Sequence, residues 1–503
     1  MFARDRVQMQ GGRDTQWDWM VRAGATSLRV SLAALLAVQF TLPSPASAET
    51  LREAMALAYQ TNPRLDAERA RLRATDEDVP RAKAGFRPRA SLNADTGRQT
   101  IKTVPGSSAD GTNQTSGYSV TAEQSLFSGY RTTNTVREAE ATVRAGRENL
   151  RNVEQQILLE TATAYADVLR DQALVRLREG NVSVLTKDLQ AAEARRSVRE
   201  VTRTDVAQAQ SRRARALSDL DGAKANLRTS RAVYERVVGR PPSGLTEPKP
   251  PSKLLPINVE DVSRIAEREH PNNISALYRE RAARHAVDKI WGELLPEVSV
   301  QANYGQRFSP SRIIDQQDST SITGRLTVPL YEGGETQARV RAAKHQHVAR
   351  LQEIEQARKE TESLAVTAWS RLSAARAQMQ SDKSAVEAAG IALEGTREEE
   401  KVGQRTLLDV LNAQQELLNA EVQQVVTRRE VIVAAFTLLA AIGRLNADEL
   451  KLTDALYDPE AHYDDVERKW WGISVTHASG RTEFIDLMDD WSAPDNYSEQ
   501  VRR

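Results

Sequence analysis

Leu294-Leu295-Pro296-Glu297-Val298-Ser299-Val300-Gln301-Ala302-Asn303-Tyr304-Gly305 restates, 208 positions downstream, Phe86-Arg87-Pro88-Arg89-Ala90-Ser91-Leu92-Asn93-Ala94-Asp95-Thr96-Gly97. In both stretches apolar and polar residues alternate behind a proline, the period-two mark of a strand with two unlike faces. Further on the shift settles at 204. Leu126-Phe127-Ser128-Gly129 returns as Leu330-Tyr331-Glu332-Gly333, Thr163-Ala164-Tyr165 as Thr367-Ala368-Trp369, and Gly239-Arg240 as Gly443-Arg444. A constant offset over so long a stretch marks an internal duplication. The first copy spans 49–240 and the second 257–453, joined by the Pro-rich linker 241–256, with a tail at 454–503.

Each copy holds a second alternating segment. Tyr118, Val120, Ala122 and Leu126 alternate with Ser119, Thr121, Glu123 and Ser125, with Gln124 interrupting the apolar set. Ile322, Gly324, Leu326, Val328 and Leu330 alternate with Ser321, Thr323, Arg325 and Thr327. The expectation is two strands per copy of the ~9–11 residues that cross a bilayer when tilted. The period then becomes helical. Val136, Val143, Leu150, Ile157 and Ala164 fall seven apart, with Ala139, Gly146 and Val153 between them, and Val340, Ala343, Ile354, Ala357 and Ala368 follow in the second copy. These are heptad seams whose small residues let helices approach closely. The proline-free run from Thr132 to about Arg196 predicts a helix on the order of 100 Å long.

Composition narrows the class. The chain has 503 residues with 69 basic and 69 acidic side chains, so no bulk positive field exists to hold nucleic acid. It has no cysteine, which excludes disulfides, thiolate catalysis, Cys-ligated zinc and an acylated N-terminal Cys. Arg22 and Arg29 precede the apolar run Val30 to Phe40, and Ala46-Ser47-Ala48 follows. At ~11 residues the run is too short to span a bilayer, and with its A-x-A exit it reads as a secretory signal over 1–48, cleaved after Ala48. Residues 1–19 read as an extension upstream of a start at Met20. An exported chain without a spanning helix meets a membrane through strands.

Four such strands cannot close a barrel, because transmembrane barrels start at about eight. An open edge in hydrocarbon leaves backbone groups unpaired at several kcal/mol each. Several chains must therefore share one wall, and symmetry carries their helices into one bundle. Two chains or three satisfy this reasoning equally.

At this point the sequence resembles the TolC family of outer-membrane efflux and secretion channels over residues 50–452. The resemblance rests on Asn62-Pro63, Pro88 and Pro296, the Leu126 and Leu330 motifs, Thr204-Asp205-Val206-x-x-Ala209, and Val402-Gly403-x-Arg405-Thr406-x-x-Asp409-Val410-Leu411-x-Ala413. It implies a mostly α fold with a β-barrel part. Duplicated long-helix hairpins would form a trimeric α-barrel tunnel in the periplasm, topped by a shared twelve-stranded barrel in the outer membrane. It further implies a passive exit duct, not an enzyme. Its partners would be outer-membrane lipid, a periplasmic adaptor and an inner-membrane pump of ABC or RND type, with no cofactor. Type I protein secretion and multidrug efflux are both compatible.

The resemblance also places a gate at the joints between paired helices. Arg405 is similar to the family's gating arginine, which contacts a Thr-Asp pair of the other repeat, here Thr204 and Asp205. Asp409 is similar to a constriction carboxylate, and carboxylates repeated around a mouth concentrate cations. An alternative for Asp205 is an N-cap of the returning helix, and for Asp409 a solvated helix face. Three positions depart from the pattern: Asn412 stands where a second constriction aspartate is expected, Glu400 where a tyrosine is, and Arg199 where a glycine is. His345 and His347 are two apart and face different ways on a helix, so they do not form a metal site. The rival class is a periplasmic adaptor or scaffold with coiled-coil hairpins.

Overall fold

The computed structural model describes residues 49–251, 253–476 and 482–483. The expected signal segment and Trp491 lie outside the described residues.

Helix α1 (Leu51–Thr61) starts at a Thr50–Glu53 capping box. Asn62 ends it and caps α2 (Pro63–Asp76), whose first residue is the proline that suits a helix start. Short α3 (Asp78–Lys83) leads to the hairpin β1 (Arg89–Ile101) and β2 (Gly111–Ser128). Helix α4 (Arg131–Ser197) has 67 residues, ~100 Å at 1.5 Å each, and folds back as α5 (Arg203–Val238). After the linker the order recurs with one unbroken helix in place of α2 and α3: α6 (Val259–Glu269), α7 (Pro271–Trp291), β3 (Glu297–Ser311), β4 (Ile314–Thr327), the 67-residue α8 (Glu335–Lys401), and α9 (Leu407–Ala441). The tail adds α10 (Ala461–Val466). Among the described residues no helix is long and apolar enough to cross a membrane.

The four strands make one antiparallel sheet in the order β1-β2-β3-β4. Its register sorts the side chains by polarity. Ala90, Ala122, Ala302 and Ile322 stand in one row, and Leu92, Val120, Tyr304 and Thr320 in the next of the same face. On the other face, Ser91, Thr121, Asn303 and Ser321 align, as do Arg89, Glu123, Gln301 and Thr323. The apolar face is uncovered: Leu92 is 70% exposed and Ile322 79%.

Three sequence expectations change. The strands run to 13, 18, 15 and 14 residues, longer than a bilayer needs. Their far ends, such as Gln99 and Thr100 opposite Asn113 and Thr112, are polar on both faces, so these ladders continue into water. Leu126 falls in a β-bulge between Ser125 and Phe127, so Phe127 rather than Leu126 pairs with Val298. Strand β4 stops at Thr327. Pro329 has no N–H for a ladder, so Val328 and Leu330 lie beyond the strand.

The heptad seam of α4 is buried at Val136, Ala139, Val143, Leu150, Ile157 and Ala164. Midway along α4, where α5 and α9 end, lies the main core, in which Met55, Leu65, Leu158, Tyr165, Tyr234, Leu438, Leu439 and Leu445 interlock. The linker is tied to it by polar bonds. The Tyr165 hydroxyl shares its one proton between the carbonyls of Thr246 (2.6 Å) and Glu49 (2.8 Å). The Glu49 carboxylate, 1% exposed, accepts from the Tyr234 hydroxyl (2.8 Å) and Arg240 (2.9 Å). Burial pushes that carboxyl up, but hydrogen bonds from Tyr234, Arg240 and Ser243 hold it net below its ordinary value.

His270 occupies in the second repeat the capping place that Asn62 holds in the first. Its Nδ1 accepts from the Asn272 N–H (3.2 Å), so the ring is neutral on that nitrogen. Burial pushes the imidazole down from 6.5 to about 4. Between these values the unfolded chain binds a proton that the folded chain refuses. The site therefore contributes ~3 kcal/mol that is complete above the unfolded pKa and is lost as pH falls toward the folded one. His270→Asn should keep the cap and flatten the dependence of the urea midpoint on pH between 7 and 4; an unchanged slope would assign that dependence to other groups.

Candidate gate at the hairpin tips

The far ends of the two hairpins are built alike. Helix α4 ends at Ser197 and α8 at Lys401, and each chain reverses within five residues. The Arg199 and Glu200 amides donate back to Arg196 (3.0 Å) and Arg195 (2.9 Å), and those of Gly403 and Gln404 to Glu400 and Glu399 (both 2.9 Å). Such closure needs a left-handed residue. Gly403 supplies it with φ 79°, and Arg199, where the family pattern has glycine, takes φ 64°. The turn is thus kept at a position where a side chain is strained.

The returning helices start with identical capping boxes. Thr202 is the N-cap of α5, and Asp205, at the third helical position rather than the cap itself, accepts through Oδ2 from the Thr202 N–H (2.9 Å) and hydroxyl (2.8 Å). Asp409 accepts likewise from the Thr406 N–H (3.0 Å) and hydroxyl (2.8 Å). These two Thr406 bonds, with Arg405 adding to them, hold the Asp409 carboxyl below the ordinary aspartate range. Capping uses only Oδ2 of each aspartate, so a second oxygen is available to other ligands. Thr204, the second residue of α5, is exposed.

Within one chain the Arg405 Nε donates to Glu399 (2.8 Å), an exposed pair inside its own tip. The two tips meet through other residues. Arg195 at the end of α4 donates to Glu400 (2.5 Å), whose side chain is only 16% exposed, and Arg212 of α5 donates to Asn412 of α9 (2.8 Å). Above them Leu185, Ala216 and Leu411 form a small apolar cluster. Glu400 and Asn412 thus both face arginines of the first repeat. Sequence reading missed Arg195 and Arg212. A signal existed: with the 204 shift, Arg195-Arg196 overlies Glu399-Glu400, so equivalent helix ends carry opposite charges. His347 pairs with Glu280 (2.6 Å), while His345 is exposed.

The profile of the family described as "Outer membrane efflux protein" matches residues 54–240 and 265–444. The chain belongs to that family. It is 37% identical over 447 residues to the outer membrane efflux protein BepC of Brucella suis biovar 1, covering 88% of this chain and 96% of BepC. To the outer membrane protein TolC of Escherichia coli it is 24% identical over 436 residues, covering 83% and 87%. The crystal structure of the outer membrane protein VceC from Vibrio cholerae superposes with a TM-score of 0.68 at 19% identity, over 78% of this chain and 96% of that one. The chain is therefore an exit duct of the outer membrane serving efflux or secretion, and its family is one of channels rather than enzymes. Long helical hairpins carrying a four-stranded sheet are that fold in a single chain.

Strain at one tip is open to measurement. Arg199→Gly should stabilise the helical body by ~0.5–1 kcal/mol, the left-handed penalty less the extra freedom glycine has when unfolded. Gly403→Ala should cost a similar amount. Urea titration followed by far-ultraviolet circular dichroism reads both, and equal midpoints for Arg199→Gly and the parent would show the turn to be unstrained.

Proposed function

We propose that three copies of this chain join edge to edge into a twelve-stranded barrel, with the helical hairpins continuing the bore as a tunnel across the periplasm. The supporting observation is the sheet itself, with one apolar face, one polar face, and β1 and β4 as its two edges. In hydrocarbon those edges must pair, and β1 of one copy against β4 of the next completes every ladder. The apolar rows then meet lipid and the polar rows line a water-filled bore. No nucleotide-binding loop is present in the sequence, so energy comes from an inner-membrane pump of ABC or RND type through a periplasmic adaptor. The cargo is that of multidrug efflux, type I protein secretion, or both; the relation to BepC favours efflux.

The tips are the gate in this reading. Arg195–Glu400 and Arg212–Asn412 bind the two coils of one subunit, and Arg405 with Thr204 and Asp205 binds coils across the next boundary. An exposed ion pair such as the one Arg405 would make with Asp205 is worth about 0–1 kcal/mol. Symmetric copies of a weak lock suit a mouth that a partner opens. Asp409 supplies the negative ring, and Asn412 lowers its charge relative to the family pattern.

A heat-modifiable oligomer in outer-membrane fractions supports the duct, and a soluble periplasmic monomer supports the adaptor alternative instead. In planar bilayers Arg405→Ser with Asp205→Ala should raise single-channel conductance; unaltered conductance in folded oligomers would remove these residues from the gate. Asp409→Asn should weaken block by multivalent cations, and block of undiminished strength would exclude the ring.

A further inference from the structure

The tail after the second repeat has no counterpart in the duplication, yet it is fastened rung by rung to the first repeat. The Tyr457 N–H donates to the Tyr59 hydroxyl (3.1 Å), and the Arg69 guanidinium lies between the Tyr59 and Tyr457 rings at 4.7 and 4.9 Å. His462 meets Asp76 (3.3 Å), and Arg147 binds Glu460 (2.5 Å) while lying 5.2 Å from the Tyr463 ring. Lys83 binds Glu467 (2.5 Å). Arg87 donates to the Lys469 carbonyl (2.9 Å) and stacks 4.7 Å over Trp470. Positions 59, 76, 83 and 87 thus receive 457, 462, 467 and 469–470 in order. The tail climbs alongside α2 and α3 and arrives two residues short of β1.

What it brings there is Arg468-Lys469-Trp470-Trp471-Gly472-Ile473. Trp471 is 86% exposed, Trp470 60% and Ile473 54%, an unusual display for side chains of that size. Two cations beside two indoles suit the zone between headgroups and acyl chains, where an amphipathic ring sits best and basic groups meet phosphates. The site lies at the foot of β1, beside Arg87 and two residues before the strand begins at Arg89. Other exposed aromatics mark the same helix-to-strand transition: Phe86 ahead of β1, Trp291 ahead of β3 and Tyr331 after β4.

We infer that Arg468–Ile473 is an interfacial anchor that inserts Trp470, Trp471 and Ile473 among the phospholipid headgroups of the leaflet facing the periplasm. It gives each subunit a lipid contact outside the barrel strands and sets the height of the sheet in the membrane. Arg87 stacked on Trp470 holds the segment level with the first strand, and the rungs below keep it from sliding. The inference rests on the sheet being a membrane wall, and its test separates the two.

The chain has no cysteine, so a single introduced thiol can be labelled without background. An environment-sensitive fluorophore is placed on Ile473→Cys, Leu92→Cys or Asp454→Cys in the otherwise intact oligomer. The oligomer is reconstituted in phosphatidylethanolamine–phosphatidylglycerol vesicles with access to the helical side. At 473, quenching by lipid nitroxides placed near the headgroup should exceed quenching by those near the chain end. Trp470→Ala with Trp471→Ala should abolish this preference. The label at 92 should respond to deep nitroxides and that at 454 only to aqueous iodide. If 92 behaves so while 473 follows iodide, or is shielded from both quenchers by protein, the anchor is wrong and the barrel stands. If 92 itself follows iodide, the membrane wall fails and the anchor with it.

Discussion

Unpaired backbone at the two edges of a four-stranded sheet is the constraint to which the remainder of this molecule answers. One chain offers a face of alanine, leucine, valine and isoleucine suited to hydrocarbon, but its first and last strands end in rows of N–H and C=O groups. Water can satisfy those groups and lipid cannot. The sheet is therefore compatible with a membrane only as a stave of a larger cylinder, and the helices below inherit the symmetry that closes it.

Duplication is the economical answer to that geometry. Each repeat delivers one hairpin of strands and one hairpin of helices, so two repeats set side by side already resemble neighbouring sectors of a ring. The joints show how closely the copies correspond. Thr202 with Asp205 and Thr406 with Asp409 make the same capping box, and Arg199 is bent into the left-handed geometry that Gly403 adopts. The copies differ where they touch. Arg195 at the end of α4 faces Glu400 at the end of α8, so the tips attract one another, whereas identical repeats would have set like charges together.

Polar groups do the fastening away from the seams. Glu49, Tyr165, Tyr234 and Arg240 tie the linker to the middle of the helical body, and a ladder of arginine–aromatic and ion-pair contacts ties the tail to α2 and α3. Neither segment carries the heptads or alternation that would declare where it goes. Both are placed by side chains that lie far away in sequence.

Periodicity determined a great deal by itself. Alternation behind Pro88 and Pro296, the seam from Val136 to Ala164 and the 204-residue shift are local patterns, and local patterns dictate strand, helix and repeat because backbone geometry is short-ranged. The same patterns misplaced Leu126, Val328 and Leu330, since a bulge or a proline changes phase within one or two residues. Only the tertiary structure decided that Asp205 and Asp409 are engaged by their own caps, that Arg405 turns to Glu399, that Glu400 and Asn412 meet Arg195 and Arg212, and that the tail ends at the foot of β1. Those are partnerships between side chains, several of them hundreds of residues apart. Which of several possible partners a charged group takes depends on distances that no single stretch of sequence contains.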